Sequence, residues 1–115
     1  MVCFAFAISN AAGQPPTLPD LRATVKFVRG QIVIANRNDY TWKACSFDIN
    51  PNNFEWDFFT RVDEVLAHAV VTLEPKQFRG ARQEPYDPGA HPPVSMRLVC
   101  DIPDGSRSAI EIIIG

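Results

Sequence analysis

Residues 31–50 restrict the fold of this chain more than any other segment. Apolar side chains alternate with other residues on both sides of a polar interruption at residues 36–39, and the short side chains of Asn and Asp there favour a turn. Trp42 opens the second run, in which every second position is apolar: Cys45, Phe47 and Ile49. The pattern predicts two strands joined as a hairpin on a core. It indicates an architecture and no chemistry.

Composition and charge limit the class of protein. The chain has 115 residues, of which 46% are hydrophobic and 21% charged, which predicts one globular domain and argues against intrinsic disorder. The net charge of -2 supplies no basic field for a phosphate backbone, so we expect no nucleic-acid partner. The ten prolines fall mostly between apolar runs, which favours strands joined by irregular loops over helices.

Residues 1–13 carry no charged side chain. The apolar run at residues 2–8 and the small residues at 9–11 are typical of a secretory signal, although the basic segment that usually precedes the run is missing. A trimmed membrane anchor, an N-terminal edge strand and a disordered tail remain alternatives. The run is too short to span a bilayer, so we expect no membrane span. Residues 14–20 contain three prolines and predict a linker. We therefore interpret residues 1–22 as leader plus linker and residues 23–115 as the folded domain.

The remaining segments predict a sheet protein. Further strands are expected at residues 23–29, 54–62, 70–73, 94–100 and 109–114. Residues 63–69 predict a turn or one helical turn, and residues 76–93 a long loop held down by aromatic side chains, Phe78 and Tyr86, and by Ala81. The last strand has no polar residue after Glu111, so we expect it to be well covered. About seven strands with frequent turns predict an all-β antiparallel β-sandwich.

The segment around Trp42 resembles small immunoglobulin-like sandwich domains of bacterial envelope and secreted proteins. In that pattern an apolar strand ends in Asn, a polar turn leads to an aromatic-x-Trp, and alternating apolar residues follow; here these are Asn36, then Tyr40 and Trp42, then Cys45, Phe47 and Ile49. The likeness covers residues 31–115, more loosely after Asn50. Such domains often follow a signal or anchor and a linker. An antibody-type domain places its core Trp well after the first core Cys, whereas here Trp42 precedes Cys45. The resemblance implies a fold far more than an activity.

Most catalytic constellations lack their parts. His68 and His91 stand apart from any Cys, Asp or Glu at metal-ligand spacing, and we interpret them as surface or loop residues. The chain contains no glycine-rich phosphate loop, nucleophile elbow or paired-carboxylate motif. Asp101, Asp104 and Glu111 could meet a calcium ion, but Asp-x-x-Asp-Gly is common turn chemistry. We therefore expect no enzyme, no cofactor and no metal.

Aromatic residues are the remaining candidates for a site. Tyr40, Trp56 and Tyr86 are the predicted ligand-binding residues, because exposed aromatic rings could form a platform for a sugar or a protein. Core packing is the stronger interpretation for most aromatic residues of so small a sandwich. We expect a non-catalytic binding, adhesive or spacer module outside the cytoplasm, with a protein or glycan partner. A carbohydrate-binding module is the alternative, and the oligomeric state stays open.

The two core-phase cysteines, Cys45 and Cys100, fall on the third and sixth predicted strands. In a sandwich of this type these strands are expected to be neighbours, so a disulfide is one outcome. Its narrow geometry favours the other outcome, two free buried thiols.

Overall fold

The computed structural model describes residues 20–51, 53 and 56–114, which contain seven strands and one 3-10 turn. The predicted all-β fold is confirmed. In chain order the strands are β1 Ala23–Val28, β2 Gln31–Asn36, β3 Trp42–Ile49, β4 Phe58–Val65, β5 Val70–Leu73, β6 Ser95–Asp101 and β7 Arg107–Ile113, with the 3-10 turn Pro75–Gln77 after β5.

These strands form two antiparallel sheets. The three-stranded sheet has the order β1-β2-β5, and the four-stranded sheet has the order β4-β3-β6-β7. The two sheets enclose one core of apolar side chains, as in a β-sandwich. The core residues of the central strands are almost fully buried: Ile32 and Ile34 on β2, Phe47 and Ile49 on β3, and Met96 and Leu98 on β6.

The predicted hairpin of residues 31–50 is wrong. β2 pairs with β1 and β5, whereas β3 pairs with β4 and β6, so the turn after Asn36 carries the chain from one sheet to the other. The alternation was interpreted correctly as buried faces, but those faces oppose each other across the core. The period of the apolar residues indicates which side of a strand is buried, but it does not indicate which strand pairs with it. The hairpin lies one turn earlier, between β1 and β2, where Arg29 and Gly30 both have positive φ, as a two-residue type I′ turn requires.

Two buried asparagine side chains connect the loops at one end of the sandwich to the core. The Asn36 side-chain nitrogen donates to the carbonyls of Tyr40, Val65 and Leu66. Its side-chain oxygen accepts from the Asn38 backbone nitrogen at 2.8 Å. Asn38 Oδ1 accepts from Trp42 Nε1 and from the Arg22 backbone, both at 2.9 Å. Buried amides need such partners. The network therefore fixes the position of Trp42, which is fully buried.

A single asparagine has the same role at the other end. Asn50 has φ of 53°, and its side-chain oxygen accepts from the Val94 backbone at 2.7 Å while its Nδ2 donates to the Pro92 carbonyl. Asn tolerates this left-handed conformation better than most residues. It thus ends β3 and holds the start of β6.

The fourth and seventh strands differ from the prediction. β4 runs from Phe58 to Val65, so residues 63–65 of the segment 63–69, predicted as a turn or one helical turn, are strand, and a turn through His68 follows. β7 lies at the edge of the four-stranded sheet and is not well covered, since Ile113 is 73% exposed. Its side chains alternate between exposed and partly buried. The apolar composition of β7 did not reveal that only one of its faces meets the core.

A disulfide joins Cys45 to Cys100, so the favoured outcome of two free thiols is wrong. The predicted proximity of the third and sixth strands is confirmed, because β3 and β6 are neighbours. Their register shifts between Lys43 and Ser46, a β-bulge in which Ala44 has φ of 48°. The bulge turns Cys45 toward the core opposite Cys100, with a Cα–Cα distance of 4.2 Å.

The folded part begins before Ala23. Leu21 is 2% exposed within the core cluster, the Arg22 carbonyl accepts from the Arg37 backbone, and the Asp20 carbonyl accepts from Asn38 Nδ2. Residues 20–22, which the sequence suggested as linker, therefore contact the domain. The predicted leader at residues 1–13 lies outside the described residues.

Trp42→Ala is expected to lower the free energy of unfolding by about 3–5 kcal/mol, because it removes a large core side chain and one of the two donors to Asn38 Oδ1. Urea unfolding checks this. Trp56→Ala is the matched control and should cost less, since Trp56 is only partly buried. Equal midpoints for Trp42→Ala and the natural chain would contradict the assignment of Trp42 to the core.

In unfolded, unreduced protein we expect only Cys3 to react with a thiol reagent. Reduction should lower stability by about 4 kcal/mol, because the bond closes a loop with a sequence separation of 55. A double Cys45→Ala, Cys100→Ala variant should be insensitive to reductant. Two additional reactive thiols in the natural chain would rule out the bridge.

Candidate binding surface

The three aromatic residues predicted to bind a ligand do not come together as a platform. Tyr40 lies before β3 and Trp56 lies after it, so they are separated by the length of that strand, roughly 26 Å for its eight residues. Tyr40 is partly buried against the core. Burial, with the nearby charge of Asp20, raises the pKa of Tyr40.

Tyr86 is a buried residue that anchors the long loop. It is 3% exposed, its ring lies 4.9 Å from the Phe58 ring, and its hydroxyl donates to the His91 carbonyl at 2.7 Å. Burial raises the pKa of Tyr86 to about 12. The prediction that Phe78 and Tyr86 hold this loop is confirmed, whereas Ala81 is exposed. As a binding residue Tyr86 does not fit, because its ring has no free face to offer.

Trp56 and Tyr86 do share a neighbour, His91. The Trp56 ring meets the His91 ring edge-on, with 5.0 Å between centroids, and Phe58 packs on the same imidazole at 5.5 Å. Within the described part of the chain, His91 Nδ1 is buried and has no hydrogen-bond partner. The contacts pin the turn that carries Trp56 to the long loop, so one side of the Trp56 ring is used internally.

Apolar side chains that are exposed or partly exposed lie around the start of β6. Trp56 lines a depression of about 170 Å³ together with Val94 and Ser95, and Ile113 lies directly opposite Ser95 on β7. Val94 is 55% exposed and Ile113 is 73% exposed. We call Trp56 and Val94 the Trp56 patch; Ile113, on the outer face of the sheet with Glu111, does not line the depression. Sequence reasoning missed Val94 and the exposure of Ile113, although the outward phase of Ile113, two residues after Glu111, was a usable signal.

A second depression lies on the outer face of the four-stranded sheet. It measures about 370 Å³ and is lined by Asp48, Asp57 and Phe59, with Ser46, Gly80 and Ala81. The ring of Phe59, 39% exposed, lies 5.9 Å below the guanidinium of Arg61. Cross-strand pairing places Phe59, Asp48, Arg97 and Glu111 in one row.

The two carboxyl groups in this depression share a hydrogen bond. Burial, together with the charge of Asp57, raises the pKa of Asp48 to about 6, and Arg97 on the neighbouring strand acts in the opposite direction. Burial also raises the pKa of Asp57, while the hydrogen bond and Arg97 lower it. Below about pH 6 the proton of the pair therefore resides on Asp48, which then donates to Asp57. The row alternates acid and base across three strands, as is typical of a stabilised sheet surface.

The acidic residues near the last turn are engaged in local contacts. Asp101 pairs with Arg107 at 2.6 Å, and Asp104 accepts hydrogen bonds from the Ser106 backbone and hydroxyl. His68 contacts Asp39 at 2.8 Å on the surface. Among residues 20–51, 53 and 56–114, no group of three or more His, Cys, Asp or Glu side chains could hold a metal ion. None of the helical segments in the same ranges is long and apolar enough to cross a membrane.

Comparison with protein-family models, with curated proteins and with solved structures finds no match to this chain.

Asp48→Asn is expected to flatten the pH dependence of stability between pH 4 and 6. Asp48 binds its proton more tightly in the folded state, since its pKa rises from 3.8 to about 6. Its contribution to stability is therefore full below pH 4 and is lost as the pH rises through about 6. At neutral pH the variant should be about 1 kcal/mol more stable than the natural chain, because it no longer buries a charged carboxyl. The gain is small because this half-buried carboxyl still contacts water.

Thermal unfolding at several pH values measures this slope. Asp57→Asn is the matched comparison, because it removes the neighbouring charge that raises the pKa of Asp48 and should shift the transition to lower pH. Parallel profiles for the natural chain and both variants would disprove the carboxyl pair.

Proposed function

We propose that this chain is a non-catalytic binding, adhesive or spacer module built on an immunoglobulin-like sandwich. The Trp56 patch carries the proposal, because an exposed valine and a partly exposed tryptophan around one depression offer an apolar contact surface for another protein. Asn50 and the Trp56–His91 contact hold the elements that present this patch. A surface fixed in this way loses little conformational entropy on binding.

The strand order supports the immunoglobulin-like assignment. A constant-type immunoglobulin domain has its first, second, fourth and fifth strands in one sheet and the other three in the second sheet. Here β4 joins the sheet of β3, β6 and β7, so a single strand has changed sides. Trp42 on the third strand is buried, as in that class. The disulfide differs, since it joins neighbouring strands of one sheet and not the two sheets.

The disulfide also supports a location outside the cytoplasm. Such bonds form and persist in oxidising compartments and are rare where thiols are kept reduced. We therefore propose a periplasmic, cell-surface or secreted module, in agreement with the interpretation of residues 2–8 as part of an export signal.

A protein partner suits the surface better than a glycan. A carbohydrate module would need at least two exposed, coplanar aromatic rings, but Tyr40 and Trp56 lie at opposite ends of β3 and Tyr86 is buried. The patch combines one aromatic ring with the aliphatic side chain of Val94. This mixture suits an apolar protein surface better than the polar face of a sugar.

Site-specific photo-crosslinking tests the proposal. A benzophenone amino acid replaces Val94, and the full chain is produced in its own host and irradiated. We expect a covalent adduct with a polypeptide of different mass, because Val94 borders the depression beside Trp56. The adduct should disappear when Trp56→Ala is added.

The matched control carries the same group at Thr72, an exposed residue of β5 on the opposite sheet. It should give no such adduct. Equal labelling from both positions, or none from Val94, would overturn the proposed contact surface.

A further inference from the structure

β7 is the one edge strand in the described part of the chain that is both long and bare. Its seven residues pair with β6 in continuous register, without a bulge, and contain no proline. The outer edge of β4 is partly covered, because Phe59 and Arg79 exchange backbone hydrogen bonds of 3.0 and 2.9 Å. β5 has only four residues, and β1 carries a single charged side chain, Lys26, with no acidic residue that could pair with it in a second copy. Long, regular edges are templates for pairing with another strand.

The hydrogen bonds at both ends of β7 show which backbone groups point away from the sheet. At one end the Ile114 nitrogen donates to the Val94 carbonyl, and at the other the Ile102 nitrogen donates to the Ser106 carbonyl. Even-numbered residues between these points therefore bond toward β6. The N–H and C=O groups of the odd-numbered residues face outward: Arg107, Ala109, Glu111 and Ile113.

The charges along this outward set are complementary to themselves. If two copies of β7 pair antiparallel about a twofold axis at Ala109, Arg107 of each copy stands opposite the partner's Glu111. In this register the odd-numbered residues, whose backbone groups point outward, face one another, so each of these pairs exchanges two hydrogen bonds. Moving the axis by one residue in either direction keeps the backbone pairing but separates the opposite charges. Electrostatics therefore selects one register.

The charge pattern within each protomer extends through that axis. Arg107 already pairs with Asp101 on β6, and Glu111 stands opposite Arg97, which stands opposite Asp48. In the paired sheets a row would run from Asp101 through Arg107 to the partner's Glu111 and the partner's Arg97, alternating in sign at every strand. The same row would repeat on the other side of the axis.

We infer that this chain forms a twofold homodimer through β7, in which the two four-stranded sheets join as one sheet of eight strands. The interface is isologous, as in most soluble homodimers. The occupant of the edge is a second copy, because the register that pairs the outward backbone also pairs Arg107 with the partner's Glu111. This inference is independent of the binding role of the Trp56 patch.

Sedimentation analysis of the full chain from micromolar to near-millimolar concentration, at neutral pH and low salt, tests the dimer. We expect a reversible monomer–dimer equilibrium. Arg107→Glu and Glu111→Arg should each weaken association roughly tenfold or more, because two like-charge pairs then face each other across the axis. An equimolar mixture of the two variants should form a heterodimer, since every cross-axis pair in it is again opposite in charge.

Two further variants separate this interface from other associations. Ala109→Pro removes an outward N–H without affecting the bonds to β6 and should abolish the dimer while the fold persists by circular dichroism. Lys26→Glu on β1 changes charge by the same amount and should leave association unchanged. A chain that stays monomeric, a mixture that does not associate, an Ala109→Pro variant that dimerises normally, or larger open assemblies would each overturn the inference.

Discussion

The hydrogen bonds among Asn36, Asn38 and Trp42 connect the two sheets of this protein. Asn36 ends β2 in one sheet, Trp42 begins β3 in the other, and Asn38 lies between them with its side-chain oxygen on the indole nitrogen. Asn36 also binds the carbonyls of Val65 and Leu66, where β4 ends. Leaving a buried amide without partners destabilises a fold more than losing an ordinary contact does. The chain segment between the two sheets, the Trp42 indole and the turn after β4 therefore depend on one another through the two asparagines.

The bulge in β3 allows both Trp42, which belongs to this network, and Cys45, which forms the disulfide, to face the core. Trp42 and Cys45 are three positions apart, so in a regular strand they would face opposite sides of the sheet. Both are buried, because Lys43 and Ala44 both point outward and the register with β6 shifts at this point. Ala44 accepts an unfavourable left-handed conformation for this purpose. The strained residue is compensated by two large gains, a core indole and a covalent bond between neighbouring strands.

Much of the fold could be predicted from the period of the apolar residues, and the failures share one cause. The sequence predicted the buried faces of β2, β3 and β6, and it predicted that Phe78 and Tyr86 hold the long loop. It failed on the hairpin after Asn36, the end of β4 and the state of Cys45, because each depends on which strand is the neighbour and in what register. Periodicity contains no such information. The same limit explains the candidate site: Trp56 was found as an aromatic residue, whereas Val94 is exposed only because of where its strand begins.

The outer face of the four-stranded sheet differs from the inner face in how it is stabilised. Inside, β3 and β6 oppose apolar side chains such as Phe47 and Leu98, which are held by burial. Outside, Asp48, Arg97 and Glu111 form a row in which acidic and basic side chains alternate, and Asp57 approaches Asp48 at one end of that row. A row of this kind is specific about register, because a shift by one residue would place its side chains on the core face. The charges on β7 thus contribute to the pairing of β6 with β7 even in a monomer, and the dimer inferred above uses the same charges without requiring any rearrangement of the sheet.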